Sequence, residues 1–374
     1  MRGARVVTPE GARACDLAVE SGRIADLGAG LRGDRTIDAD GLTLLPGFLD
    51  VHVHGGGGAD FMDATPEALD TICRTHAAHG TTGLLATTIT QSRNKIDAAL
   101  ENVRENQRPM ILGVHLEGPY ISPEKPGAQP REFVRDYDAE EFASWLGFDV
   151  IRRITLAPER PGAADLCAAC QRNRIALSFG HTDIGADALK TVLDAVGAAD
   201  ATHLFNAMNG IHHRTPGPIP VFLTDPRCHV ELIADGHHVA PEVIAMAVRA
   251  KGAQGVIAIT DAMAGAGAGD GVYGLGGHEV TVAGGKATLA DGTLAGSLLT
   301  MDAAARNLRD WCGLTWTEIA RVTSTNAADR HGWKHKGRLE VGADADFVLA
   351  DDALRVRETW LGGAPVAKHT GEPH

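Results

Sequence analysis

The chain has 374 residues, of which 44% are hydrophobic and 22% are charged, with 45 glycines and 17 prolines. This much apolar material supports a large core, so the composition excludes a disordered chain and a small disulfide-bonded scaffold. The 35 lysines and arginines against 48 aspartates and glutamates give a net charge of −13. The basic residues form no runs, so a nucleic-acid or membrane-surface binder is disfavoured.

The N-terminal sequence MRGARVVTPE contains no apolar signal-peptide core. No stretch of the chain approaches the roughly 18 apolar residues of a membrane span. We therefore expect a cytoplasmic protein in which any anionic ligand is met by a local site.

Both ends of the chain have the texture of small β structures. Residues 1–47 alternate short apolar stretches with Gly, Asp and Arg, which is typical of small antiparallel strands. From Gly337 the sequence GRLEVGADADFVLADDALRVRETWLGG returns to this pattern. We predict that residues 1–47 and 336–374 together form one small β-sandwich domain.

Residues 48–335 alternate apolar runs with helical patterns, such as the one opened by the N-cap Thr65 and by Pro66. The runs are GFLDVHVH, TTGLLATTIT, MILGVHLEG, IRRITLAPE, RIALSFGHTD, DATHLFNAM, HVELIADGHH and GVIAITDAM. Eight strands alternating with helices over about 280 residues predict an α/β fold, the (β/α)8 TIM barrel. A Rossmann fold is disfavoured because the glycines after the first run lack the G-x-G-x-x-G spacing. The later stretch HEVTVAGGKATLADGTLAGS predicts a hairpin near the barrel mouth.

Reactive side chains follow six of the eight predicted strands, at the carboxyl ends where such barrels carry their active sites. They are His52 and His54 after strand one, His115 and Glu117 after strand three, His181 after strand five, His203 after strand six, Asp235 and His238 after strand seven, and Asp261 after strand eight. A single histidine is more often structural, and we interpret His76 and His335 in that way. So many equivalent positions predict a metal site instead.

Imidazoles combined with a carboxylate suit a divalent metal such as zinc or iron, whereas calcium and magnesium prefer oxygen ligands. The candidates suffice for two metals with Glu117 as the bridge, and they are His52, His54, Glu117, His181 and His203. A bound metal lowers the pKa of its water towards about 7, and Asp261 can accept the proton. Because the sequence has no G-x-S-x-G element, phosphate loop or flavin motif, hydrolysis is the expected reaction.

These stretches resemble the amidohydrolase superfamily and, within it, the N-acetylglucosamine-6-phosphate deacetylase family. PGFLDVHVH and the tail GRLEVGADADFVLAD belong to the superfamily at large, whereas HLEGPY and HLFNAM followed by Arg214 are more specific. FGHTDIG, ADGHHV, ITDAMAG and LADGTLAGS extend the resemblance over nearly the whole barrel. This resemblance implies that the protein hydrolyses N-acetyl-D-glucosamine 6-phosphate to D-glucosamine 6-phosphate and acetate, in amino-sugar catabolism or cell-wall recycling.

The resemblance also implies roles for individual residues. Glu117, His181 and His203 match the family's principal metal ligands, and Asp261 matches its catalytic acid/base. The resemblance implies one or two metals per subunit, since some relatives lack histidines at the positions of His52 and His54 and hold a single metal, while others keep them and hold two. The sugar-phosphate contacts match Asn206, Ala207, Arg214 and His238, and part of them comes from the partner subunit of a homodimer.

One position departs from the family pattern. After HLEGPY the family usually has a histidine that binds the substrate and polarises its acetyl carbonyl, and this chain has Gln129 there. A glutamine can donate a hydrogen bond but cannot carry a positive charge. We therefore expect Gln129 to contact the substrate as a neutral donor.

Three other functions remain open. The same machinery could deacetylate N-acetylgalactosamine 6-phosphate or another N-acetyl amino sugar. A cyclic-amide hydrolase usually bridges its metals with a carboxylated lysine after strand four, where this chain has Leu156-Ala157-Pro158-Glu159. A non-catalytic sugar-phosphate sensor would be expected to have lost a ligand or the acid/base, and none is missing.

Overall fold

Both ends of the chain meet in one sheet in the computed structural model, which describes residues 1–368. The N-terminal strands are β1 (Arg5–Thr8), β2 (Gly11–Ala14), β3 (Asp16–Glu20), β4 (Arg23–Gly28) and β5 (Thr43–Pro46). The barrel begins with β6 (Phe48–Val53), which a short hairpin of β7 (Gly55–Gly56) and β8 (Ala59–Asp60) follows.

Seven further strands complete the barrel. They are β9 (Thr81–Thr87), β10 (Ile111–Glu117), β11 (Ile151–Leu156), β12 (Ala176–Phe179), β13 (Asp200–Ala201), β14 (Val230–Ile233) and β15 (Val256–Ile259). All eight strands are parallel and follow one another in chain order. Most of their residues are buried, as expected for a parallel sheet that helices cover. The predicted (β/α)8 fold is confirmed.

The ring closes between the last and the first strand at its carboxyl end. The backbone N–H of Asp261 donates to the carbonyl of His52 at 2.8 Å, and the N–H of His54 donates to the carbonyl of Ala262 at 2.8 Å. These two bonds set the residues after β15 directly beside those at the end of β6. The closure therefore joins two of the predicted reactive segments.

The helices that follow the strands pack their apolar faces on the barrel. They are α1 (Pro66–Ala78), α2 (Arg93–Glu105), α3 (Ala139–Leu146), α4 (Ala163–Arg172), α5 (Ala186–Val196), α6 (Ile219–Thr224) and α7 (Pro241–Lys251). As predicted, Thr65 caps α1 by accepting the N–H of Ala68, with Pro66 as its first residue. After the barrel come α8 (Met301–Cys312), α9 (Trp316–Ala320) and α10 (Asn326–His331), with a π-helical turn at Arg321–Thr325.

Three strands after β15 form a small antiparallel sheet at the barrel mouth. They are β16 (Gly271–Leu275), β17 (His278–Ala283) and β18 (Lys286–Thr288). The predicted hairpin corresponds to β17 and β18, and β16 is an addition that its exposed, glycine-containing sequence did not indicate.

The C-terminal strands are β19 (Phe347–Ala350), β20 (Val356–Leu361) and β21 (Ala364–Lys368). β19 pairs antiparallel with β5, so that both termini share a six-stranded sheet in the order β2-β1-β5-β19-β20-β21. A separate apolar core, which includes Phe347 stacked on Trp360 at 5.5 Å, lies between this sheet and the β3–β4 hairpin. The segment predicted as 336–374 extends six residues past the described part of the chain. Within the described part, no helix is long and apolar enough to cross a bilayer.

Candidate active site and metal centre

Six predicted site residues lie together at the carboxyl end of the barrel. Each is on the last residues of a strand or within two residues of its end, and they are His52, His54, Glu117, His181, His203 and Asp261. None is more than 8% exposed. Because parallel strands end at one rim, residues far apart in sequence converge there.

The six side chains form two groups of possible metal ligands. One group contains His52, His54 and Asp261, the other contains Glu117, His181 and His203, and within each the donor atoms lie within 4.8 Å of one another. Glu117 lies between the groups. Its Oε1 is 3.3 Å from the Nε2 atoms of His52, His181 and His203, and its Oε2 is 3.3 Å from Nε2 of His54.

The spacing of these atoms fits divalent cations. Four ligands placed tetrahedrally at 2.0–2.1 Å from zinc are about 3.3–3.4 Å from one another. The Nε2 atoms of His52 and His54 lie 3.4 and 3.3 Å from Oδ1 of Asp261, in the same range. Nε2 of His52 and Oε1 of Glu117 are buried and have no hydrogen-bond partner. A cation between the groups would satisfy both atoms.

A second observation supports a cation beside His181 and His203. Their Nε2 atoms are 3.0 Å apart, and Nδ1 of His181 donates to the carbonyl of Lys125 at 2.9 Å. Nε2 of His181 therefore carries its lone pair and points it at the other imidazole. This lone pair can accept a proton from Nε2 of His203 or bind a cation placed between the two nitrogens.

The backbone is strained at three of the six positions. His181, His203 and Asp261 have φ values of 49°, 28° and 51°, in the left-handed region that residues with a Cβ rarely adopt. Each lies where the chain turns away from the end of a barrel strand. Strain of this kind clusters at functional sites, where the surrounding structure maintains it.

The carboxylates and imidazoles of the site shift one another's pKa values. Burial by itself would raise the pKa of Glu117, but the neighbouring imidazoles, with His52 first, hold it well below its usual range. Burial would lower the pKa of His54, but the carboxylates of Asp261 and Glu117 raise it to about 9. Such an array stabilises extra positive charge, which protons or metal cations can supply.

A cavity of about 230 Å³ opens above the two groups. Four residues predicted to bind the substrate line it, namely Gln129, Asn206, Ala207 and His238. His238 Nδ1 is 2.7 Å from Oδ2 of Asp235, so its other ring nitrogen remains for a ligand. The Asn206 side chain donates to the carbonyl of His203 at 3.1 Å, which leaves the turn's backbone and Ala207 to face the cavity.

Arg214 does not line this cavity. Its side chain is exposed on the loop after β13 and contacts His213, with 2.7 Å between Nη1 and Nε2. Among residues 1–368, the lining contains neither lysine nor arginine. In the described subunit, Arg214 is therefore not among the residues that line the cavity.

The sequence analysis missed a buried glutamate behind the site. Glu231 on β14 is fully buried, and its Oε2 lies 3.1 Å from Nδ1 of His52. The available signal was an acidic residue inside the apolar run HVELIAD, at a strand position where a hydrophobic side chain is the norm.

Comparison with known proteins gives a family and several relatives. Residues 43–367 match the family described as "Amidohydrolase family". N-acetylglucosamine-6-phosphate deacetylase of Bacillus subtilis (strain 168) is 44% identical over 324 residues, covering 84% of this chain and 82% of that protein. N-acetylgalactosamine-6-phosphate deacetylase of Escherichia coli O157:H7 is 36% identical over 334 residues, covering 87% and 88%.

A solved structure is similar over nearly the whole chain. It is a mutant of N-acetyl-D-glucosamine-6-phosphate deacetylase from Mycobacterium smegmatis, in complex with N-acetyl-D-glucosamine-6-phosphate. The TM-score is 0.92 at 35% sequence identity, and the alignment covers 97% of each chain.

Proposed function

The chain belongs to the amidohydrolase family, and we propose that it hydrolyses N-acetyl-D-glucosamine 6-phosphate to D-glucosamine 6-phosphate and acetate. The family predicted from the motifs is thereby confirmed. The observation that carries the proposal is the convergence of two ligand groups on Glu117 beneath a cavity that admits a small polar substrate. A cytoplasmic location stays a prediction.

We propose that the cation is zinc or iron and that each subunit holds one or two. Glu117, His181 and His203 would hold the first, and His52 and His54 would hold the second with Glu117 shared between them. Nitrogen-rich ligand sets favour zinc and iron over calcium and magnesium. When bound there, the cation would polarise the acetyl carbonyl and lower the pKa of a water molecule enough to supply a nucleophile at neutral pH.

Asp261 would move the proton in this reaction. Asp261 lines the cavity. Burial by itself would raise the pKa of its carboxyl group, but the imidazoles of His52 and His54 outweigh this effect and lower the pKa to about 2. The carboxylate would accept a proton as water attacks the acetyl carbon. It would return the proton to the sugar nitrogen as the C–N bond breaks, so acetate and the free amine leave.

Binding of the phosphate would need a second subunit. The cavity's single-chain lining has no arginine or lysine, whereas the loop that bears Arg214 projects into solvent with Ile211 53% exposed beside it. We propose a homodimer in which Arg214 enters the partner's cavity and binds the phosphate, with His238 and the turn at Asn206–Ala207 contacting the sugar phosphate from the other side.

A second candidate substrate is N-acetylgalactosamine 6-phosphate, which the named activity of the Escherichia coli relative supports. The cyclic-amide alternative has less support. A cyclic-amide hydrolase usually has a metal-bridging lysine after the fourth barrel strand, and after β11 this chain has Glu159. The carboxylate of Glu159 already accepts the hydroxyl of Thr182 at 2.5 Å and the N–H of Asp183 at 2.7 Å.

The test is an acetate-release assay on the purified protein, with elemental analysis of the same sample. We expect at least one zinc or iron per chain, and acetate from N-acetyl-D-glucosamine 6-phosphate at a higher kcat/KM than from the galactose epimer or the unphosphorylated sugar. Metal-loaded protein that releases no acetate from any of these sugars would support the sensor instead.

A variant separates the metal from the fold. Glu117→Gln keeps the shape of the side chain but removes the charge shared by the two ligand groups, so we expect metal content and activity to fall together. Undiminished metal and activity in this variant would contradict the ligand assignment. The thermal unfolding midpoint of each sample reports whether the variant is folded.

A further inference from the structure

A row of four buried side chains crosses the barrel interior beneath the site. They lie on four different strands, are 0% exposed and are His52 on β6, Glu231 on β14, Arg153 on β11 and Asp200 on β13. Nδ1 of His52 is 3.1 Å from Oε2 of Glu231, and Nη2 of Arg153 is 2.6 Å from Oε1 of Glu231. Nη1 of Arg153 is 2.7 Å from Oδ2 of Asp200.

The charges of Glu231, Arg153 and Asp200 alternate in sign along this row. A buried carboxylate without a partner is strongly unfavourable, so Glu231 depends on the guanidinium of Arg153. Arg153 is balanced in turn by Asp200, whose other oxygen is 2.8 Å from Nε of Arg330 on α10. The row therefore has a continuous set of charge partners from α10 to the metal-ligand cluster.

One oxygen of Glu231 holds a residue from each ligand group. Oε2 accepts from Nδ1 of His52 and from the backbone N–H of His203, both at 3.1 Å. With the proton on Nδ1, His52 presents its Nε2 lone pair to the cation position next to Glu117 and Asp261. His181 is oriented separately by the carbonyl of Lys125.

We propose that Glu231, held by Arg153, is a positioning residue that fixes the tautomer and orientation of His52 for the second cation position, which His52 shares with His54 and Glu117. The inference rests on the metal centre of the proposed function but goes beyond it. Loss of the Glu231 acceptor removes the ring partner of His52 but only a backbone contact of His203, and His181 keeps the carbonyl of Lys125. It should therefore weaken the second cation more than the first.

Two matched double variants test this. Arg153→Met/Glu231→Gln and Arg153→Met/Glu231→Leu both remove the buried ion pair and leave Asp200 with Arg330. Only the glutamine retains an oxygen that can accept from Nδ1 of His52. Because both variants lack the charges of Glu231 and Arg153, any difference between them reports the effect of the hydrogen-bond acceptor alone.

Zinc binding to the two variants, measured by competition with a chromogenic chelator, gives separate dissociation constants for the first and second equivalents. Loss of a partner of a metal-ligating histidine typically costs 10- to 100-fold in metal affinity. We expect the second equivalent to bind roughly 10- to 100-fold more weakly in the leucine variant than in the glutamine variant. The two variants should differ less in their affinity for the first equivalent of zinc. From the glutamine variant to the leucine variant, kcat should fall by a larger factor than KM rises.

Equal second-site affinities in the two variants would overturn the proposal and leave Glu231 as a charge partner of Arg153 alone. So would a parent protein that binds no second zinc. Zinc binding is measured without substrate, so a failure of the deacetylase assignment leaves this test intact.

A second measurement covers the case in which neither variant folds. Nitrogen-15 NMR of histidine-labelled parent protein, with His52→Gln to assign the signal, reports which ring nitrogen of His52 carries the proton. We expect a proton on Nδ1 in the zinc-loaded protein. A proton on Nε2 would overturn the proposal.

Discussion

Gln129 donates its side-chain amide to Glu117, with 2.5 Å between Nε2 and Oε2, and its Oε1 accepts the backbone N–H of Thr90 at 2.7 Å. The two bonds fix which end of the amide faces the carboxylate. The glutamine was predicted to donate to the substrate, and one of its two amide hydrogens is already used by Glu117. We infer that its first task is to orient Glu117, and that only its second hydrogen is free for a substrate.

Replacement of Gln129 by leucine, which has a similar volume, should leave the buried N–H of Thr90 without a partner and remove the amide donor from Oε2 of Glu117. A hydrogen bond to a charged group is worth about 1.5–3 kcal/mol, so kcat/KM should fall by roughly 10- to 100-fold. Gln129→His should also change kcat/KM. Kinetics on the phosphorylated sugar test both variants, and parent-like values for Gln129→Leu would make the position peripheral.

Asp261→Asn should lower kcat by about 10²- to 10⁴-fold, because an amide cannot accept and return the proton. Steady-state kinetics together with elemental analysis separate this effect from metal loss. The assignment predicts low turnover in variant protein that retains at least the cation of Glu117, His181 and His203. Near-parent turnover would reduce Asp261 to a structural carboxylate.

Arg214→Ala should raise KM for the phosphorylated sugar by roughly 10- to 100-fold, because one charge-assisted hydrogen bond to the phosphate is lost. The unphosphorylated sugar never makes this contact and should be affected little. Arg104→Ala, which removes an exposed arginine on α2, controls for the change in net charge. Equal losses on both sugars would place the effect in folding or in the metal site.

Mixed dimers test whether Arg214 acts across the interface. Arg214→Ala subunits combined with Asp261→Asn subunits would form some dimers in which one cavity has both an intact Asp261 and an intact partner arginine. We expect activity above that of either variant alone, measured after subunit exchange. If no activity returns in verified mixed dimers, each subunit binds phosphate with its own residues.

His76 should make the protein less stable in acid. It is 1% exposed, its Nε2 is 2.9 Å from the carbonyl of Gly55, and burial lowers its pKa to about 4. An unfolded histidine has a pKa of about 6.5, so the unfolded chain binds the extra proton between these values. The free energy of unfolding therefore falls as the pH drops through this window, by about 2 kcal/mol at pH 5 relative to pH 7.5.

His76→Gln removes this titration and can still donate to the carbonyl of Gly55. Urea unfolding at pH 7.5 and at pH 5 gives the unfolding free energy of the parent and of the variant. The value for the variant minus the value for the parent should be about 2 kcal/mol higher at pH 5 than at pH 7.5. His335→Gln, at an exposed histidine, is the control and should follow the parent. A constant difference between parent and His76→Gln would contradict the prediction.

Some features of the fold follow from local sequence alone. Thr315 and Glu318 have the T-x-x-E spacing of a capping box, and they form one at the start of α9, where each side chain accepts from the other residue's backbone. The eight apolar runs all become barrel strands, although the sixth, DATHLFNAM, is paired only over Asp200–Ala201. Its remaining residues turn into the site because His203 leaves the strand with a positive φ.

The sequence by itself determined the barrel and the set of reactive residues, because strand periodicity and the position after each strand are local properties. Only the tertiary structure decided which atoms meet. The ring closure between β15 and β6 sets Asp261 against His52 and His54, and the interior of the barrel brings Glu231 to His52 from a strand 179 residues away. Likewise, the absence of Arg214 from its own subunit's cavity depends on where a loop runs in space, which no spacing of residues encodes.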